Sequence, residues 1–368
     1  MTLSAAPAQG RRTFIAATLG VLLLAGCATR PVERPGPQAL RVNKVAVLVP
    51  LSGPDAAVGR ALGNAARLAM LDTGTTAFEL SLFDTAERGA PAAASQAIAS
   101  GNGLILGPLL GDEVRQVTPL AQRARVPLIA FSNDREATAP GAYILGFTPS
   151  QAVERVVLEA ARRGSRRFAA IAPSSPYGQR SVQALAAAVR EAGGEMAGVQ
   201  TYAAPGDARA AVRRLPPGSY DALLIADSGR VASLAAPAIP VGVRVLGTEL
   251  WAAGGAGASP RLRGAWYAAP TEGRWSQFVQ RYKARYPGQT PPRIASLGYD
   301  AVLLAVRAAR NWTPGRRFPL GAIDDREGFA GVDGIFRFRA DNVAQRAFEV
   351  RAVTANGSTV VSPAPTSF

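Results

Sequence analysis

An α/β fold with two doubly wound parallel-sheet lobes is what this sequence predicts, and three observations carry it. Strand-like apolar runs alternate with helix-period stretches over most of the chain, at the lengths of βα units. The alternation runs to about residue 147 and then begins again, as a second series of the same kind. A chain of 368 residues with 48% hydrophobic content suffices for two cores, at about 100–200 residues per domain.

The first series opens on a continuous apolar run at 45–51, which reads as a central strand with both faces buried. Ser52-Gly53-Pro54-Asp55 is turn chemistry, with Asp55 as N-cap for a helix carrying Val58, Leu62, Ala65, Ala66, Ala69 and Met70 at helical spacing. That turn lies at the carboxyl end of a parallel strand, where open α/β sheets place their ligands. Strands follow at 78–83, 104–106, 126–131 and 143–145, with helices at 90–100 and 112–125 between them. Asp84, and then Ser132-Asn133-Asp134, stand at strand ends on the crevice side.

The second series begins with a helix at 151–163 capped by Ser150. A strand at 167–172 leads into the loop Pro173-Ser174-Ser175-Pro176-Tyr177-Gly178 and a helix at 180–192 that stops at Gly193-Gly194. Strands at 196–202, 221–226 and 243–246 alternate with helices at 208–215 and 231–236. Asp227 and Glu249 stand just past the last two strands. The remaining third holds helices at 275–286 and 296–309. It then alternates at 334–339 and 347–353 around Asp341-Asn342, the pattern of a hairpin. Trp251, Trp266, Trp275 and Trp312 read as core or lobe-edge packing.

Ahead of the fold, Arg11-Arg12 and an apolar stretch ending in Leu24-Ala25-Gly26-Cys27 make a secretory leader, residues 1–26. It is shorter than the roughly 20 apolar residues of a spanning helix. The last four residues resemble a bacterial lipobox, so Cys27 is the expected lipidation site. The arginine pair fits both a general and a twin-arginine export signal. Residues 27–42, with Pro31, Pro35 and Pro37, read as a Pro-rich tether. Cys27 is the only cysteine, which excludes an internal disulfide.

The formal charge of +15 is almost all arginine, since Lys44 and Lys283 are the only lysines. The arginines are scattered in pairs without interleaved aromatics, so they predict solvated helix faces and no nucleic-acid partner. With no histidine, Ser-His-Asp catalysis and the usual zinc sites are excluded. The Gly254-Gly255-Ala256-Gly257 run lacks the spacing and the Lys-Ser/Thr ending of a phosphate loop. A non-catalytic binding protein is expected, with no cofactor and no metal.

Five stretches carry a resemblance that spans about residues 43–355: VAVLVPLSGPDAAVGRALGNAARLA, LILGPLLGDEVRQVTPLAQRARVPLIAFSND, IAPSSPYGQRSVQALAAAV, SLGYDAVLLA and GFAGVDGIFRFRADNVAQRAFEVRAV. Their order resembles type I periplasmic solute-binding proteins of the leucine/isoleucine/valine-binding group. Within that group it resembles the lipoproteins described as penicillin-binding protein activators. The resemblance implies discontinuous lobes, 43–147 with 268–329 and 148–267 with 330–360, joined by a three-crossover hinge and closing on a ligand. The family's pocket aromatic falls on Val58, and its carboxylate-holding hydroxyls fall on Leu109-Leu110-Gly111. Its small polar residues fall on Ser132, Asn133 and Asp134, its second-lobe tyrosine on Tyr177, and its ammonium-pairing acid on Glu249. With Ser52 and Asp227 added from the strand ends, these are the candidate ligand contacts.

Half of an amino-acid site is thus expected, the ammonium half, with the carboxylate cradle missing. The foremost expectation is an envelope lipoprotein that regulates peptidoglycan synthesis through a penicillin-binding synthase. The alternative is delivery of amino acids, amides or related solutes to an ABC permease. Either protein would be lipid-anchored on the periplasmic side, with the outer membrane favoured because Ala28 is no inner-membrane retention signal.

Overall fold

The computed structural model describes residues 42–368; the leader, Cys27 and the tether as far as residue 41 lie outside the described residues. Five strands form the first sheet: β1 (Asn43–Val49), β2 (Phe78–Asp84), β3 (Leu104–Leu106), β4 (Leu128–Ala130) and β5 (Ala142–Ile144). All are parallel, in the order β2-β1-β3-β4-β5. The order reverses between β1 and β3, so the crevice of this sheet opens at their carboxyl ends.

The continuous apolar run of β1 is explained by its two covered faces. Val45, Val47 and Val49 pack on α1 (Ala56–Thr73), whereas Ala46 and Leu48 pack on α2 (Ala90–Ala99) and α3 (Gly111–Ala124). The helix α1 starts where the turn predicts, but the Asp55 side chain makes no capping bond. Asp84 instead orders this turn by accepting from the backbone N–H groups of Leu51 and Ala86, at 2.8 and 2.9 Å.

The second sheet repeats the topology. Its elements are α4 (Pro149–Arg162), β6 (Arg167–Pro173), α5 (Pro176–Glu191), β7 (Glu195–Tyr202) and α6 (Ala208–Arg213), then β8 (Ala222–Ile225), α7 (Gly229–Ala235), β9 (Arg244–Gly247) and β10 (Trp266–Ala269). The parallel order β7-β6-β8-β9-β10 matches that of the first sheet strand for strand. Ser150 is not the cap of α4: the helix starts at Pro149, and Thr148 holds the N-cap position. The sequence expectation also started α5 too late. Ser175 caps it, accepting from Gly178 N at 3.3 Å, which puts Tyr177 in the first helical turn.

After β10 the chain returns to the first lobe as α8 (Gly273–Arg285) and α9 (Ser296–Ala309). Helix α9 lies close against α1: a Cβ on Gly298 would stand 2.3 Å from Leu62 O, so only glycine fits there. The expected hairpin is corrected by the pairing. β11 (Phe329–Gly331), β12 (Gly334–Phe338) and β13 (Ala344–Arg346) form a separate antiparallel sheet. β14 (Glu349–Thr354) instead pairs with β10 and with β15 (Gly357–Ser362).

The lobe boundary moves accordingly. Phe336, Phe338 and Ala344 are buried in the first core, with the Phe338 ring 5.0 Å from that of Tyr143, so 330–346 pack with the first lobe and not the second. The chain passes between lobes three times, between β5 and α4, between β10 and α8, and between β13 and β14.

Candidate functional site

A cavity of about 580 Å³ lies between the lobes. The first lobe contributes Leu109, Leu110 and Phe131 from the loops after β3 and β4, with Trp275 and Ile294 from its returning segment. The second contributes Tyr177 from the first turn of α5, and Glu249 and Leu250 from the turn after β9. Phe147 and Pro270 come from two of the crossovers. Both sheets present the carboxyl ends of their strands here, as doubly wound sheets do at a ligand site.

Tyr177 and Glu249 form one polar spot in a largely apolar wall that also holds Asn133, Glu272 and Arg293. The Tyr177 hydroxyl lies 2.9 Å from Glu249 Oε1 and 2.9 Å from Thr248 Oγ1. A phenol has one proton to give, so it donates to the carboxylate and accepts from the threonine hydroxyl. The other carboxylate oxygen, Glu249 Oε2, is buried and has no hydrogen-bond partner among the described residues. Burial pushes the Glu249 carboxyl from the ordinary 4.5 up to about 7, against a backbone N–H and the Tyr177 hydroxyl, which favour the anion. Burial first, and then the neighbouring carboxylate, raise the Tyr177 phenol well above its usual value, which keeps it a donor.

Of the seven candidate residues, Asn133, Tyr177 and Glu249 stand in the cavity wall, and Ser52, Ser132, Asp134 and Asp227 do not. Ser52 is exposed, in the turn that the Asp84 carboxylate orders. Ser132 Oγ accepts from Asp134 N at 3.0 Å, within its own turn. Asp227 accepts from Tyr202 Oη at 2.8 Å and from Ser228 N, while its carbonyl accepts from Trp251 Nε1 at 2.9 Å. These bonds order the second lobe.

Asp134 has a different task. It is buried, caps the short turn at Arg135–Ala137, and pairs with Arg115 of its own lobe at 2.6 Å. It also pairs across the crevice with Arg180 of α5 at 3.2 Å, and Arg180 reaches Asn133 Oδ1 at 3.3 Å. Gly111 is required for this arrangement, because a Cβ there would stand 2.7 Å from Asp134 Oδ2. Arg180 therefore bridges the lobes at one lip of the cleft.

The cavity wall also holds residues that sequence reasoning passed over. Trp275, read as packing, lines the cavity, and the Arg293 guanidinium lies 4.7 Å from its ring centre. Val58, at the position of the family's pocket aromatic, packs on the first core outside the cavity wall. Leu109 and Leu110 do face the cavity. Among the described residues, no group of three or more His, Cys, Asp or Glu side chains is placed to hold a metal ion, and no helix is long and apolar enough to cross a membrane.

Comparison with known proteins agrees with this architecture. A solved leucine-binding protein LivK of Thermotoga maritima superposes with a TM-score of 0.64 at 20% identity, covering 87% of this chain and 98% of that one. An ABC transporter substrate-binding protein from Sphaerobacter thermophilus superposes with a TM-score of 0.71 at 18% identity, covering 89% and 97%. Among curated proteins, the penicillin-binding protein activator LpoA of Photobacterium profundum is 24% identical over 169 residues, 45% of this chain and 27% of that protein. The match thus spans little more than a quarter of that relative's length. The family model described as periplasmic binding protein matches residues 43–358, and the chain belongs to that family.

Proposed function

We propose that this periplasmic binding protein is a non-catalytic solute-binding protein whose two lobes close on a small molecule in the cleft. One observation carries the reading: an interlobe cavity of about 580 Å³, apolar for most of its wall, in which the Tyr177–Glu249 pair supplies a sheltered acceptor. That volume is within the range of about 300–1,000 Å³ typical of small-molecule sites. An ABC permease is the partner this reading implies, with Cys27 as the lipid anchor in the envelope.

A second reading, regulation of a peptidoglycan synthase, is favoured by Leu109-Leu110 in place of a carboxylate cradle and by the likeness to the activator over 169 residues. It stood first on sequence grounds. The cavity moves it to second place, because a lobe that served only as a docking surface has no need of an open cleft with an unmatched carboxylate oxygen.

Small-angle scattering and thermal unfolding of the purified chain, with amines, amides, amino acids and muropeptides, test the choice. A solute that raises the unfolding temperature and lowers the radius of gyration is expected. Capture of a penicillin-binding synthase with no response to any solute would overturn the solute-binding reading.

A further inference from the structure

The cations scattered along the sequence gather in the fold. At the amino ends of the first sheet's strands stand Lys44 at the start of β1, Arg123 and Arg125 at the end of α3, and Arg310, Arg316 and Arg317 at and beyond the end of α9, all of them exposed. Trp312 ties the loop after α9 to the sheet: its carbonyl accepts from Asn43 Nδ2 at 2.8 Å, and its indole N–H donates to Arg316 O at 2.8 Å. None of these cations makes an ion pair among the described residues. At the matching end of the second sheet, by contrast, Arg162 and Arg163 pair with Glu159, and Arg167 pairs with Asp221. The helix dipole accounts for Arg123, Arg125 and Arg310 at two helix C-termini, but not for Lys44, Arg316 and Arg317. Glu79, beside Lys44 in the β1–β2 register, offsets one of the charges.

Two further features share this end. Arg125 and Arg317 line a cavity of about 340 Å³ with Val126, Pro127, Pro140 and Phe318, and the exposed Leu320 stands in the same wall. The described chain also enters here, through the exposed Val42 ahead of β1. Fourteen residues lie between Cys27 and Val42, a stretch that reaches at most about 50 Å. A lipid on Cys27 therefore keeps this end of the first lobe within that reach of a bilayer. Guanidinium groups pair with phosphate in a bidentate fork, and clustered cations beside an apolar rim are what an anionic headgroup layer attracts.

We propose that this end of the first lobe is a docking surface for an anionic phospholipid bilayer, with Arg125, Arg316 and Arg317 on the lipid phosphates and Leu320 in the headgroup layer. The inference rests on the reading of Cys27 as the lipid anchor and adds a surface that orients the anchored protein.

The chain from residue 28 onward carries both lobes whole, without the apolar leader or the lipid-accepting cysteine. It is sedimented with vesicles of phosphatidylcholine alone, or of phosphatidylcholine and phosphatidylglycerol in equal parts. It should bind the mixed vesicles, lose that binding as salt rises, and leave the pure phosphatidylcholine vesicles unbound. Reversing two charges at this end, Arg316→Glu with Arg317→Glu, should weaken binding at least about tenfold. The same reversal on α6, Arg209→Glu with Arg213→Glu, should change it less than about threefold. Leu320→Ser, at an exposed position, should weaken it about fivefold, and it keeps the test open if the double variant folds poorly.

No binding to the mixed vesicles, an equal loss from both double variants, or capture by soluble dextran sulfate without capture by vesicles would overturn the docking surface. Cys27 is tested separately, by incorporation of labelled palmitate in cells. Label without vesicle binding leaves the anchor and overturns the surface; vesicle binding without label leaves the surface and overturns the anchor.

Discussion

Glu249 beside the cleft and Asp300 beneath the hinge are two carboxylates that burial pushes upward, and they differ in what surrounds them. Asp300, on α9, is fully buried and accepts from Val332 N at 2.7 Å. Its Oδ2 faces Arg346 Nη1 at 3.7 Å. Arg346 is buried too, donates to Leu145 O at 2.9 Å, and lies between the rings of Phe147 and Phe336 at 4.7 and 5.0 Å. Leu145 and Arg346 sit at the first and third crossovers, so this pair ties both to the first lobe. The middle crossover is held by Arg293, whose bonds to Thr271 and Glu272 meet its ion pair with Asp333.

Neither Asp300 Oδ2 nor Glu249 Oε2 accepts a hydrogen bond among the described residues, but the hinge carboxylate is faced by a cation of the protein's own at 3.7 Å, and the cleft carboxylate has no ion pair. The difference teaches that burial alone does not mark a binding residue. What marks it is burial in a cavity wall with bonding capacity unused.

The comparison is broken or sharpened by substitution, beginning with the hinge. Arg346→Met removes the only cation within 4 Å of the Asp300 carboxylate among the described residues and should destabilise the fold by about 3–5 kcal/mol at neutral pH in urea unfolding. A loss below about 1 kcal/mol would mean that the hinge pair is no more committed than Glu249.

Glu249→Gln should act in the opposite direction on stability. Because the folded-state value is raised, the native chain holds a proton that the unfolded chain has lost between pH 4.5 and about 7, so wild-type stability falls as pH rises through that window. The variant lacks this fall. Relative to wild type it should gain nothing below pH 4.5 and up to about 3 kcal/mol above pH 7, in paired unfolding curves.

Tyr177→Phe leaves Glu249 Oε1 without its phenol donor and should lower stability by about 1 kcal/mol while raising the pH at which Glu249 titrates. The smallest stability effect is expected from Arg180→Ala, under about 1 kcal/mol, since Asp134 keeps Arg115. Its readout is shape: with the bridge across the lip removed, the radius of gyration of the ligand-free protein should rise.

Much of the fold was legible because periodicity is a local signal. The continuous run of β1, the strand ends at Asp84, Ser132 and Asp227, and the helical spacing of α1, α4 and α9 can all be read within windows of a dozen residues. Elements defined by distant partners were not. β10 is four buried residues, Trp-Tyr-Ala-Ala, with no alternation to mark it, and the switch of sheets between Arg346 and Glu349 depends on pairing with β10. The last stretch alternates as a hairpin strand does, but its partner is elsewhere.

The site divides along the same line. Tyr177 and Glu249 were marked by the resemblance to the solute-binding family, in the loop after one strand and the turn after another, and both line the cavity. Asp134 and Asp227 stood out as acidic residues following strands and are consumed by caps, hydrogen bonds and ion pairs, because polar residues at strand ends serve both purposes. Phe131, Phe147 and Trp275 were invisible as cavity residues, since an apolar side chain facing a cleft has the same sequence pattern as one facing a core.

The most direct test of the central claim is a carbon-detected NMR titration of the Glu249 side-chain carboxyl in the ligand-free chain, assigned as the resonance missing from Glu249→Gln. The account predicts a midpoint near pH 7, because burial in the cleft wall disfavours the charged form. A midpoint in the ordinary carboxylate range of about 4 would contradict it: the carboxylate would then be solvated and not sheltered in the cleft wall.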